Sequence, residues 1–225
     1  MIPWTLLGIA ELPDGGGRLR LMKRGDEFSI MSGSTELMNS RRSRSEMALA
    51  KLACERVKDR PRPRLLIGGL GMGFTLAAAL IEVSSSAVVT VAELVPEVVE
   101  WNRGPLGAAS GYPLNDPRTR VYPGDVAELL RGSGEDYDVI ALDVDNGPEG
   151  LTTRGNDWLY DMDGIMAAIN SLRPGGVVAY WSATRDRIFR TRLSNCDLKV
   201  DEVSAFAHGT KGTRHTIWLA SEKGL

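Results

Sequence analysis

Leu65-Leu66-Ile67-Gly68-Gly69-Leu70-Gly71-Met72-Gly73-Phe74-Thr75 is the stretch that decides the fold. A short apolar run ends in a cluster of glycines, and a second apolar stretch continues to Val83. A run of this length bounded by turn formers predicts a buried strand, and the longer stretch beyond it predicts a helix. Gly69, Gly71 and Gly73 let the backbone approach a bound group closely, and the helix start offers unpaired N–H groups. The spacing is G-x-G-x-G. A dinucleotide fingerprint would put its third glycine at Phe74, and no Gly-Lys-Ser/Thr follows for a phosphate-binding loop. Taken alone, the stretch also reads as a tight strand-to-helix turn without a ligand.

Working outward, the same alternation repeats. Strands are predicted at 87–94, 120–125, 137–145 and 176–183, with helices at 97–103, 126–132, 162–172 and 184–193. Pro96 sits where a helix start places it. Two late strands, 199–208 and 213–221, form a hairpin around Gly209–Gly212. The pattern predicts an α/β fold: a doubly wound, seven-stranded Rossmann-like sheet, mostly parallel, with a C-terminal antiparallel hairpin. Upstream, 4–12, 17–24 and 26–33 read as short strands, and 43–57 has helical spacing. The break at Asp59-Arg60-Pro61-Arg62-Pro63 separates a small β-rich unit, 1–60, from the sheet domain, 61–225.

The totals agree with one large core and a small appendage. The chain has 225 residues, 43% of them hydrophobic, with 27 basic against 29 acidic side chains. That balance argues against a nucleic-acid partner. The longest apolar stretch is interrupted by glycines and is too short for a membrane span. The first residues carry no basic region before their apolar run, so no signal peptide is expected. Two cysteines and two histidines without CxxC or HxxxH spacing leave no expected metal site and favour a cytoplasmic setting. His215, in an alternating strand, reads as structural.

Acid–base chemistry therefore falls to carboxylates. Glu93 ends the second strand after the break and can accept two ribose hydroxyls. Asp125 ends the third and can reach an adenine edge, although an Asp before a helix is also an N-cap. Asp143 and Asp145 end the fourth. Acids at consecutive strand ends are a more specific signal than any one of them, because ligands of such sheets bind beyond the carboxyl edge.

This constellation, from Ser29 to Ala183, resembles the spermidine synthase family within the class I S-adenosylmethionine-binding fold. The family's GGGDGGT-like turn is matched by Gly69 to Thr75, its ribose-binding acid by Glu93, and its Gly-Asp before a helix by Gly124-Asp125. Its DSSDPxGP loop is matched by Asp143-Val144-Asp145-Asn146-Gly147-Pro148, and its YxEM helix by Glu46 and Met47. The sequence departs from the family at Met72 and Asn146, each in place of an Asp, and at Arg44 in place of the Tyr. The resemblance implies a cofactor set of Gly69, Gly71, Met72, Gly73, Glu93, Leu94, Asp125, Val126 and Asp143. It further implies Asp143 as the base, with Asp145 and Asn146 orienting the acceptor. The expected activity is transfer from S-adenosylmethionine, or its decarboxylated form, to a small cationic amine. Methyl transfer to a small molecule and a non-catalytic nucleoside-binding module are the alternatives. An arginine among Arg41, Arg42 and Arg44 is a candidate partner for the carboxylate of intact S-adenosylmethionine. The oligomeric state stays open, with the β-rich leader as the place for a homodimer contact.

Overall fold

The structure is a computed structural model that describes residues 2–132, 134, 136–144, 154–208 and 211–223. Asp145 and Asn146, with the turn Gly147–Gly150, lie outside the described residues.

A four-stranded antiparallel sheet comes first: β1 (Thr5–Glu11), β2 (Arg18–Arg24), β3 (Glu27–Ser32) and β4 (Thr35–Asn39), in that order. Three of these strands match the sequence reading. β4 is an addition to it, because Ser34-Thr35-Glu36-Leu37-Met38-Asn39 alternates too weakly to predict a strand. Leu37 and Met38 are half-buried, so tertiary packing makes this a strand.

α1 (Arg44–Glu55) follows. Its buried residues, Leu49, Ala50, Ala53 and Cys54, recur at helical spacing. The larger sheet contains β5 (Arg64–Gly68), β6 (Val88–Glu93), β7 (Thr119–Pro123), β8 (Tyr137–Leu142), β9 (Leu172–Ser182), β10 (Leu198–His208) and β11 (Lys211–Glu222). The helices are α2 (Phe74–Glu82), α3 (Pro96–Arg103), α4 (Gly107–Ser110), α5 (Val126–Gly132), α6 (Met162–Asn170) and α7 (Arg187–Asn195). The strand order is β10-β11-β9-β8-β5-β6-β7. Strands β5 to β9 pair parallel, and β10 and β11 run antiparallel at one edge. This is the expected doubly wound sheet with its C-terminal hairpin.

β9 starts earlier than the sequence suggested. Leu172 already pairs with Tyr137, and Pro174-Gly175-Gly176 is a shift in register inside the strand rather than a stop before it. α1 packs on α2 and against β8, β9, β10 and β11 rather than on the small sheet alone.

Each face of the large sheet has its own core. One gathers Leu65, Ile67, Val89, Val91, Val139, Ala179 and Ile217 with α1, α2, α3 and the small sheet. The other gathers Leu66, Ile140, Tyr180 and Trp218 with α5, α6 and α7. Strands buried on both faces read as continuous apolar runs, as β5 and β8 do. The order reverses between β5 and β8, and their carboxyl ends open at that switch point.

Candidate active site

A cavity lies at this switch point, roofed by the small sheet. Gly69, Gly71, Met72, Glu93, Leu94, Asp125, Val126 and Asp143 all line it. Tertiary structure thus brings the expected acids of β6, β7 and β8 together. It adds Glu46 and Asn39, and an apolar wall from Leu12, Leu19, Ile30, Leu37, Met38, Phe74 and Trp181.

The glycine turn is required by space as well as by torsion. Gly69 has φ +88°, and a Cβ there would lie 2.3 Å from the Asp143 carbonyl oxygen. Gly71 has φ +52° beneath the Met38 sulfur, 2.9 Å from where a Cβ would be. Both conformations favour glycine. Gly73 is the N-cap residue of α2 and lies just behind the cavity's lining. Met72 is buried at 3% exposure.

Glu93 is buried and anchors the same turn. Its Oε2 accepts from Leu70 N at 2.9 Å and its Oε1 from Val95 N at 2.9 Å. Burial raises its pKa, while the N–H groups of Val95, Leu70, Gly71 and Leu94 oppose that shift. Asp125 Oδ1 accepts from Ala127 N at 2.8 Å, so the capping reading of this residue is seen, and it also lines the cavity.

Asp143 is half-buried at the cavity wall, and Thr75 at the start of α2 donates to its Oδ2 at 2.5 Å. Burial raises its pKa to about 6, against the Thr75 hydrogen bond. Glu46 is pushed up to about 7, first by burial and then by the charge of Asp143. The two carboxyls line one cavity, and the charge of Asp143 opposes ionisation of Glu46. Sequence reasoning noted Glu46 as a match to a family helix but left it out of the site. Its helical position gave no sign that α1 would turn it toward the end of β8.

Other expectations resolve against the site. Arg41 pairs with Glu27 and Arg42 with Glu36, and none of Arg41, Arg42 and Arg44 lines the cavity. Among the described residues the lining holds no lysine or arginine. Tyr160 packs in the core against Tyr180 and Phe189, its hydroxyl donating to Val144 O at 3.1 Å. Trp158 carries Arg131 over its ring at 3.9 Å. Trp181 Nε1 is buried at the cavity without a hydrogen-bond partner among the described residues. No group of three or more metal-ligating side chains occurs among the described residues.

The spermine/spermidine synthase domain model matches residues 45–205. Two solved spermidine synthases, one in complex with the transition-state analogue AdoDATO and one from Thermotoga maritima, superpose with TM-scores of 0.74 and 0.75. Each is 19% identical, with 96% of this chain and 72% of that chain covered. A probable spermidine synthase from Corynebacterium glutamicum gives a TM-score of 0.65 at 14% identity, covering 98% of this chain and 81% of the other. No curated protein matches. A family match over most of the chain, on a fold shared from end to end, makes this protein a spermidine-synthase-like transferase: the chain belongs to the spermine/spermidine synthase family.

Proposed function

We propose that the protein transfers an aminopropyl group from decarboxylated S-adenosylmethionine to a small amine with an apolar body. The observation that carries this reading is the Glu46–Asp143 carboxyl pair, in a cavity whose described lining has no cationic side chain. A carboxyl pair suits a substrate with a positive charge. Intact S-adenosylmethionine would bring a carboxylate into the same space without a lysine or arginine to meet it. That favours the decarboxylated form over methyl transfer from the intact one.

The donor set fits such a nucleoside. The close-approach turn at Gly69 and Gly71, with Glu93 and Asp125 in the cavity wall, matches the demands of a sugar and a base edge. The nucleoside itself supplies an electrophilic carbon beside a sulfonium. The chain's part is to align the amine behind that carbon, exclude water and take the amine's proton. Asp143, held by Thr75, is the base, and Glu46 shares the proton with it. Asp145 and Asn146 remain proposed as groups that orient the acceptor. Met72, where the family has an Asp, makes the wall near the turn apolar.

The test is product analysis by mass spectrometry. The protein is incubated with decarboxylated or intact S-adenosylmethionine and, separately, n-butylamine, 1,3-diaminopropane, putrescine and cadaverine. Aminopropylated amine with release of methylthioadenosine is expected from the decarboxylated donor. Methylated amine from the intact donor would overturn the choice of donor, and no product despite nucleoside binding would favour a non-catalytic module.

A further inference from the structure

His215 of β11 lies outside the cavity but is connected to it. Its Nδ1 is 2.9 Å from Ser45 Oγ. Ser45, fully buried on α1, donates through the same Oγ to Glu46 Oε2 at 2.6 Å. The His215 ring stands edge-on to Trp181, with centroids 4.7 Å apart, and Trp181 is itself part of the cavity wall. The three residues come from α1, β9 and β11, so only the folded chain assembles this line.

A serine hydroxyl has one proton. With that proton given to Glu46, Ser45 Oγ can only accept from His215, so Nδ1 must carry a hydrogen. We propose that Ser45 and His215 are positioning residues for the transfer. They commit the Ser45 proton to Glu46 Oε2 and so hold that carboxyl in place in the cavity, where it shares with Asp143 the proton taken from the attacking amine.

This rests on reading Glu46 and Asp143 as the proton-accepting pair. As the amine nitrogen bonds to carbon, the carbon–sulfur pair of electrons stays on sulfur. One N–H bond breaks, and its proton joins a carboxylate oxygen.

The imidazole is suited to staying neutral in this role. Burial lowers its pKa, and the Arg42 charge lowers it further. The groups facing it among the described residues are Arg42 from the turn before α1, Glu46 through Ser45, and the Trp181 ring of β9. On β10 the residue directly opposite is Ala205. The next charged pair on that face, Asp201 with Arg56, lies opposite Leu219, four residues along β11. Arg42 is itself paired with Glu36 at 3.3 Å.

The test follows kcat/KM against pH with decarboxylated S-adenosylmethionine and putrescine, beside infrared titration of the protonated carboxyl band in the ligand-free protein. Ser45→Ala removes the donor to the Glu46 carboxylate, and His215→Ala removes the N–H that fixes which way the Ser45 hydroxyl points. The acidic limb of activity and the carboxyl titration should both move up by about one pH unit, the scale of one hydrogen bond to a charged group. His215→Asn places an amide N–H near the position of Nδ1 and should return both toward the native values. Unshifted titrations in both alanine variants would overturn the proposal, as would lost activity with an unmoved limb and no recovery in His215→Asn. A shifted carboxyl titration in a protein that transfers nothing would sink the transfer reading and leave the positioning role standing.

Discussion

Asp143 and Glu46 show how environment, rather than residue type, makes a carboxyl useful. Both carry a proton far above the usual carboxylate range because burial disfavours the charged form, and Glu46 additionally faces Asp143. Asp143→Asn keeps the shape and the Thr75 contact but cannot accept a proton. Its turnover is expected to fall by at least 100-fold, on the order of the general-base contribution, with nucleoside binding by calorimetry kept within a few fold. Glu46 also makes a stability prediction. Its folded pKa of about 7 lies above the ordinary value of 4.5, so its stabilising contribution is complete below the lower value and is lost as pH rises through the upper one. Glu46→Gln removes that loss. Its melting temperature should match the native protein near pH 4.5 and exceed it at pH 8, by up to roughly 3 kcal/mol of stability.

The elements that hold these residues are a strand, a glycine turn and a helix, and the turn is the least replaceable. At Gly69 a side chain would need a left-handed backbone and would meet the Asp143 carbonyl oxygen. Gly69→Ala should lower stability by about 2–4 kcal/mol in urea denaturation, because β5 and β8 cannot both keep their positions. Gly33, with φ +55° and nothing near its missing Cβ, gives the contrast: Gly33→Ala carries backbone strain alone and should cost about 1 kcal/mol. The element pattern of the large sheet was legible in the sequence, since β5, β6 and β8 are mainly apolar runs of strand length. β4 and the early start of β9 were not, because a polar alternation and a Pro-Gly-Gly stretch become strand only when a neighbouring strand supplies the ladder.

Across the whole molecule, the two ends of the parallel sheet have separate tasks. At the amino edge Asp138 of β8 is 1% exposed, accepts from Arg64 N at 2.7 Å, and pairs with Arg60 and Arg173. Arg60 of the linker and Arg173 of β9 thus clamp one buried carboxylate. Asp138→Ala leaves those groups unpaired. It should cost about 3 kcal/mol in denaturation while leaving kcat per folded molecule unchanged, because the site lies at the other edge. At the carboxyl edge the small sheet closes the cavity. Leu37→Ala, at a half-buried wall position, should raise the acceptor's KM more than it lowers kcat or stability.

The sequence by itself determined the alternation of strands and helices, the glycine turn, and the acids that end β6, β7 and β8. Those features are local: periodicity, turn chemistry and position along a strand are written in neighbouring residues. Only the tertiary structure decided that Glu46, from a helix before the linker, faces Asp143, and that the small sheet forms the cavity's apolar wall. It also decided that His215, 170 positions from Ser45, hydrogen-bonds to it. Those contacts depend on how α1 and the small sheet dock on the large one, which burial of apolar surface determines and no local pattern encodes.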